Sequence, residues 1–435
     1  MTTLPPEPDP VPVPPPSSHE RVRTAFERLA KADRPGLWTA VRTMEEVLVE
    51  AKTVDERVHA GEGLPLAGTV CAADVEGVPA LARLTDAGAV VLGTAVADPE
   101  NAAVGLEIVD LALNSSAREI SAPPGVLTLK PTPGLIPGPT VSVSARRLAT
   151  GQRAIAAMLG PGGVDPAVRE WPADVRLAAG QHPRLGIPAE ANLPLPARRA
   201  FDVAAASLEA SGAVLVPVDV SAFYGAGDIL AARSLLADLD ALLLPTVGIL
   251  DATLNALDLA AVTVPGDRRP YGITVVTRAF EDQIGNDLAS VLTGEQSPDP
   301  YPCESVDVVV FGAHLCGQPL HDELHGARFG GLVRTAERYR MVLLEGVTPP
   351  QPGVIPGSAG VDGERWRLSP AAFGRFAAGL AAPFVLGRVE LEDGSSPLAV
   401  LCEPAAAEGG EGLDRYASWR GYLRFVSTGG PRFPG

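Results

Sequence analysis

The sequence predicts an α/β protein in which a sheet covered by helices is followed by a smaller α+β domain. Short apolar runs alternate with helix-length segments over roughly the first two-thirds of the 435 residues, as in sheets that are covered on both faces. A polar, proline-rich stretch, TGEQSPDPYP at 293–302, has no apolar periodicity and is typical of a linker. The remainder is rich in strand-like runs, which indicates a second unit.

The elements of the first unit follow in order along the chain. The proline-rich residues 1–18 are expected to be disordered or polyproline-like. Apolar residues at three- and four-residue spacing between 18 and 57 predict two amphipathic helices, the first capped by Ser18. The predicted strands after them are TVCAADV, AVVLGT, HPRLGIPA, AVLVPVDV, DALLLPTV, AAVTVPG and YGITVVTRAF, with helices such as VPALARLTDAG and ARRAFDVAAASLEASG between them.

The second unit is predicted to begin at SVDVVVFGAHL. Its further strands are RMVLLEG, ERWRLS, RVELEDG and LAVLCEP, and its helix is PAAFGRFAAGL. The predicted organisation is therefore a tail at 1–18, a first domain at 19–292, a linker at 293–303 and a second domain at 304–435. Because the linker is predicted to lack structure, a fragment from Glu304 onward is expected to fold alone.

Charge and composition exclude several classes of protein. The formal net charge of −17 argues against nucleic-acid binding, which needs a basic surface. No apolar run reaches the roughly 20 residues of a membrane span, and the first 20 residues lack the regions of a signal peptide. The four cysteines show no metal-ligand spacing, so we expect a reducing cytoplasm, no metal and no cofactor.

Several motifs together resemble the allophanate hydrolases. The first unit has PLAG, GVPALARLTDAGAVVLG, LTLKPTPGL, LDALLLPTV, LDLAAVTVPG and YGITVVTRAFED in the order of their amidase-signature domain. The second has VVVFGAHLCGQPL, LVRTAERYRMVLLEG, WRLSPAAFGRF, VELEDGSS, LCEP and WRGYL of their C-terminal domain. The resemblance implies a shortened, amidase-signature-like mixed sheet and a small γ-glutamylcyclotransferase-like α+β domain.

The resemblance also shows what the first unit lacks. Amidases of this family use a lysine base, a bridging serine in a Gly-Ser loop, and a serine nucleophile. The lysine belongs on the strand after PLxG, where this chain has TVCAAD, and only Lys31, Lys52 and Lys130 occur in the whole sequence. Ser116 matches the nucleophile position, but its neighbours are not glycines. We therefore interpret the first unit as an inactive amidase, with Ser116 a vestigial position.

The second unit keeps its motifs, and the resemblance implies that it processes N-carboxycarbamate with loss of carbon dioxide. His314 is the candidate proton donor, because its unperturbed pKa lies near neutrality. Backbone N–H groups of the GAHLCGQ loop and nearby arginines are expected to hold a small anionic, carboxylated substrate. The candidate substrate-binding residues are Gly312, Ala313, Leu315, Gln318, Arg334, Tyr339, Arg340 and Glu403.

Two other functions remain open. A γ-glutamylcyclotransferase-type enzyme needs a general-base glutamate, and the matching stretch FGRFAAGLAAPFVLG contains no acid. A non-catalytic scaffold would instead use the first unit to bind an amidohydrolase subunit or a second copy of this chain. The partner in that case is another protein, or a second copy in a homodimer formed through this unit. The alternative role for His314 is purely structural: a histidine beside a strand end whose ring nitrogens are satisfied by hydrogen bonds.

Overall fold

The computed structural model describes residues 16–74, 78–96, 102–115, 123–160, 167–190, 193–223, 229–246, 251–266, 271–296 and 299–428. Its helices are α1 (Ser18–Ala32), α2 (Met44–His59), α3 (Pro79–Asp86), α4 (Ala102–Gly105), α5 (Leu148–Met158), α6 (Leu195–Ala210), α7 (Ile229–Leu236), α8 (Asp251–Ala256), α9 (Asp282–Thr293), α10 (Pro370–Gly379) and α11 (Trp419–Ser427).

The strands before residue 280 are β1 (Trp38–Val41), β2 (Val70–Ala73), β3 (Val90–Ala95), β4 (Leu111–Ser115), β5 (Leu127–Lys130), β6 (Val141–Ala145), β7 (Arg184–Pro188), β8 (Val214–Val218), β9 (Ala241–Pro245), β10 (Leu259–Pro265) and β11 (Gly272–Arg278). The later strands are β12 (Val306–Val310), β13 (Arg328–Arg334), β14 (Tyr339–Leu343), β15 (Pro352–Pro356), β16 (Asp362–Leu368), β17 (Phe384–Arg388) and β18 (Leu398–Cys402).

The first eleven strands form one mixed sheet in the order β1-β3-β2-β4-β6-β5-β10-β11-β9-β7-β8. Strand β2 pairs in parallel with β3 and β4, and β7 pairs in parallel with β8 and β9, whereas the central pairs are antiparallel. Its central strands are buried along their whole length, because helices cover the sheet. We call the residues up to 296 the N-terminal unit, and the predicted α/β class is confirmed.

The later strands form a five-stranded sheet, β13-β16-β12-β18-β17, and a separate two-stranded sheet, β14-β15. Trp366, Phe376 and Trp419 lie in the apolar core that the five-stranded sheet shares with α10 and α11. We call residues 299–428 the C-terminal unit. This small α+β architecture is also as predicted.

The two predicted N-terminal helices are present as α1 and α2, but the first cap lies one residue earlier than expected. The hydroxyl of Ser17 accepts from the backbone N–H of Glu20, whose carboxylate accepts from the N–H of Ser17. Ser18 is buried instead: its N–H donates to Asp55, and its hydroxyl accepts from the N–H of Gly68. Ser18 therefore ties α1 to α2 and to the turn before β2.

The segment predicted as a linker makes contacts with the N-terminal unit. Helix α9 extends to Thr293. Tyr301 is 5 % exposed, its ring stacks on Trp171 with centroids 5.7 Å apart, and its hydroxyl accepts from the side-chain N–H of Asn286 at 3.1 Å. Residues 297 and 298 lie outside the described residues. The described part of the segment is therefore packed, and independent folding of the C-terminal unit stays a prediction.

Candidate active site

Strand β2 occupies the position where the family resemblance places a lysine base. Its four residues, Val70–Ala73, are at most 2 % exposed and carry no side chain that can accept a proton at neutral pH. Burial raises the pKa of the Cys71 thiol to about 12, so this cysteine stays protonated and is a poor nucleophile. The strand thus keeps the sheet continuous between β3 and β4 without supplying a reactive group.

Lys130 does not replace the missing base. It ends β5, is buried, and its ammonium donates to the carbonyl oxygens of Leu259 at 2.7 Å and Pro131 at 3.3 Å. Asp282 lies close enough for Lys130 to oppose the upward shift that burial gives the pKa of this carboxyl. Lys130 therefore holds β5 against β10 as a structural cation. Ser116, which we interpret from the sequence as a vestigial nucleophile position, lies outside the described residues.

The GAHLCGQ loop, residues 312–318, follows β12 directly and is folded back on itself. Gly312 is required by a close approach, because a Cβ there would lie 2.7 Å from the side chain of Pro352. Ala313 and Leu315 are buried. The N–H of Gln318 donates to the carbonyl of Leu315 at 2.9 Å, which closes a turn. The loop is therefore preorganised by its own backbone.

His314 is the titratable side chain at the centre of this loop, and it is only 3 % exposed. Its Nε2 lies 3.1 Å from a carboxylate oxygen of Glu323, and its ring packs edge-on against Phe376. The Nδ1 of His321 lies 3.1 Å from the carbonyl oxygen of His314. Burial lowers the pKa of His314 more than the Glu323 carboxylate raises it, so the imidazole is neutral at pH 7.

A buried carboxylate that the motif search did not single out holds the same loop. Glu364 of β16 is 3 % exposed and accepts from the N–H of Cys316 at 2.7 Å and from the indole N–H of Trp366 at 3.1 Å. Arg420 of α11 donates to Glu364 at 2.7 Å and to the carbonyl of Cys316 at 2.6 Å. Two features of the sequence could have indicated this pair: the acid inside the half-buried strand ERWRLS and the arginine of WRGYL.

The other predicted binding residues are distributed over different elements. Arg334 ends β13, which is separated from β12 by β16 and hence by about 10 Å. Its guanidinium pairs with Asp362 at 2.6 Å and Glu392 at 3.2 Å. Its carboxylate partners therefore already neutralise Arg334.

Three further candidates lie on other elements. Tyr339 and Arg340 begin β14 in the two-stranded sheet. The hydroxyl of Tyr339 accepts from the N–H of Glu390 at 3.1 Å, and the side chain of Arg340 is exposed. Glu403 is exposed after β18. The structure thus brings together the loop, His314 and three unpredicted partners, Glu323, Glu364 and Arg420.

No group of three or more metal-ligating side chains occurs among the described residues. In the same part of the chain, no helix combines the length and apolarity that crossing a bilayer requires.

The buried imidazole makes the stability of the fold pH-dependent. Because the pKa of His314 is lower in the folded state than its ordinary value of 6.5, the unfolded state takes up the proton first as pH falls. We expect the contribution of His314 to the free energy of unfolding to be fully present above about pH 6.5. It should be lost as the pH falls through the folded-state pKa of His314. Urea denaturation at pH 8 and pH 5.5 measures this, and His314→Gln should reduce the difference. The exposed His182 provides the control, and an equal reduction in His182→Gln would contradict the assignment.

Residues 306–424 match the family model described as the allophanate hydrolase C-terminal domain. The urea amidolyase of Saccharomyces cerevisiae is 28 % identical over 209 residues, which cover 40 % of this chain and 11 % of that protein. The chain thus spans a small fraction of the length of this curated relative.

Solved structures resemble the chain over a larger part. Kluyveromyces lactis allophanate hydrolase superposes with a TM-score of 0.76 at 21 % identity, covering 94 % of this chain and 97 % of that one. The peptide amidase of Stenotrophomonas maltophilia gives 0.52 at 18 % identity, covering 66 % of this chain and 96 % of the amidase. The chain therefore has the allophanate hydrolase fold, with an amidase-signature-like unit followed by a unit whose residues 306–424 match the allophanate hydrolase C-terminal domain model.

Proposed function

We propose that this protein is an allophanate hydrolase-like enzyme whose N-terminal unit does not hydrolyse amides. Its C-terminal unit then decarboxylates a small N-carboxylated anion such as N-carboxycarbamate. The observation that carries the proposal is the His314–Glu323 pair, at 3.1 Å, on a preorganised loop of an allophanate hydrolase C-terminal domain. The apolar strand β2 supports the first half of the proposal.

Decarboxylation requires one proton and an environment less polar than water. The bond between nitrogen and one carboxyl carbon breaks, carbon dioxide leaves, and the electron pair stays on nitrogen, which takes a proton to give carbamate. A dianion bound beside His314 raises the pKa of the imidazole and so lets it carry that proton. Since Nε2 faces Glu323, Nδ1 is the nitrogen that would face the substrate. Glu323 is about half exposed and returns a proton from water.

Binding of the anion would draw on the loop and on one arginine. Gly312 and Ala313 would offer backbone N–H groups to the anion. The N–H groups of Leu315 and Gln318 donate to carbonyls within the loop and would instead fix its shape. Arg420 contacts the loop, pairs with one carboxylate, that of Glu364, and keeps 42 % of its side chain exposed, whereas Arg334 pairs with two carboxylates. We therefore assign the main anion contact to Arg420, with Arg334, Tyr339, Arg340 and Glu403 as candidates for outer contacts.

One observation favours the non-catalytic alternative. His314 is almost completely buried and packs on Phe376, which also suits a histidine with a purely structural role. In that case the chain would be a support protein, and a protein partner or a second copy would bind its N-terminal unit.

Carbon dioxide release from the intact protein separates the two functions. A separate active amidase converts allophanate to N-carboxycarbamate, and the full-length protein is added in increasing amounts. We expect release to accelerate over the uncatalysed background in proportion to the protein, and His314→Ala to abolish the acceleration. His182→Ala serves as the control because His182 is an exposed histidine of the N-terminal unit. No acceleration by the unmodified protein would leave the non-catalytic support as the better account.

A further inference from the structure

The segment between α5 and β7 connects the two units. We call residues 169–181 the strap. Its fixed end lies on the N-terminal unit: Arg169 pairs with Asp258 at 2.6 Å and lies 4.3 Å over the ring of Phe280. Arg176 pairs with Asp240 and with Glu281. Two arginines of the strap thus hold it to the loops next to β9, β10 and β11.

The same strap contacts the C-terminal unit at three points. The N–H of Ala371 donates to the carbonyl of Ala173 at 2.9 Å, and the N–H of Leu177 donates to the carbonyl of Gly326 at 2.9 Å. The side-chain N–H of Gln181 lies 3.3 Å from the sulfur of Cys316 in the GAHLCGQ loop. Two of these contacts are backbone hydrogen bonds, which do not depend on side-chain identity.

A partly buried ion pair fixes the chain next to the second contact. Arg328, two residues after Gly326, pairs with Asp287 of α9, and both side chains are less than 20 % exposed. Asp287 also accepts from the N–H of Ala179 in the strap at 3.1 Å. Since Glu323 lies only a few residues before Gly326, these contacts restrain the turn that presents Glu323 to His314.

We propose that the N-terminal unit is an internal brace for the candidate loop, and that Asp287 is its principal anchor. Neutralising Asp287 removes the negative charge with which the partly buried guanidinium of Arg328 pairs, which loosens the chain locally. The N-terminal unit resembles an amidase but lacks its base, and bracing the loop gives this unit a continuing function. The brace restrains the loop whether or not His314 acts on a substrate.

Hydrogen exchange followed by mass spectrometry tests the brace in the full-length protein. In Asp287→Asn, backbone amides between 312 and 326 are expected to exchange about tenfold faster, which corresponds to about 1.4 kcal/mol of opening free energy. Asp110→Asn is the matched control, because Asp110 likewise accepts from an arginine, Arg21, and from a backbone N–H, but far along the first sheet. It should leave exchange at 312–326 unchanged.

A milder variant keeps the test decisive if Asp287→Asn does not fold. Gln181→Ala removes only the contact with Cys316 and should speed exchange around Cys316 by a smaller factor. Unchanged exchange at 312–326 in every folded variant of Asp287 and Gln181 overturns the brace. An equal increase in Asp110→Asn overturns it as well, because the effect would then be general destabilisation.

Discussion

Purified full-length protein is expected to release no ammonia from allophanate above the rate of a blank. In serine hydrolases the loss of the nucleophile or its base lowers kcat by about 10⁴- to 10⁶-fold, because an unactivated hydroxyl is a poor nucleophile at pH 7. Here β2 presents Val70, Cys71, Ala72 and Ala73 where the base belongs, and Lys130 is bound to two carbonyl oxygens elsewhere. A coupled ammonia assay gives the measurement.

The matched variant for this experiment is Ser116→Ala. If Ser116 is vestigial, the variant and the unmodified protein should behave alike in the ammonia assay and in thermal unfolding. Ammonia release that disappears in Ser116→Ala would show that the chain has another way to activate this serine, and the inactive-amidase proposal would be wrong.

Local patterns were sufficient to predict the fold class. Apolar runs such as DALLLPTV and helical spacing in 18–57 each depend on neighbouring residues, so β9, α1 and α2 could be found from the sequence. The cap of α1 is Ser17 and not Ser18 as predicted. Neighbouring residues alone do not distinguish the two, because both side chains can accept hydrogen bonds. Only the contacts of Ser18 with Asp55 and Gly68, distant in sequence, decide between them.

Dependence on neighbouring residues also explains which parts of the candidate site could be predicted. The GAHLCGQ motif identified the loop and His314, because it is continuous in the sequence. Arg420 and Glu364 reach the loop from α11 and β16, and nothing local marks their meeting at Cys316. The prediction of a linker rests on similarly local signals, since proline and polar residues predict an irregular path. They do not indicate that Tyr301 is buried against Trp171.

A direct test of the anion site uses malonate, whose two carboxylates have a spacing similar to those of N-carboxycarbamate. We expect calorimetric titration of the full-length protein to show millimolar or tighter binding. Arg420→Ala should weaken it by roughly 10-fold or more, since one charge-assisted hydrogen bond contributes about 1.5–3 kcal/mol. The lower end applies because the Arg420 side chain is 42 % exposed and hence partly screened by water.

Arg334→Ala is the matched comparison for that titration. Both are arginines of the C-terminal unit, but Arg334 is neutralised by Asp362 and Glu392 and lies two strand spacings from β12. Its removal should change malonate affinity far less than removal of Arg420. His314→Ala should also weaken binding little, because a proton donor contributes mainly in the transition state. Affinity that falls only in Arg334→Ala would return the anion site to β13, as the family motif suggests. Affinity indifferent to both arginines would mean that malonate binds elsewhere, and the GAHLCGQ loop would then lack the anion recognition that decarboxylation requires.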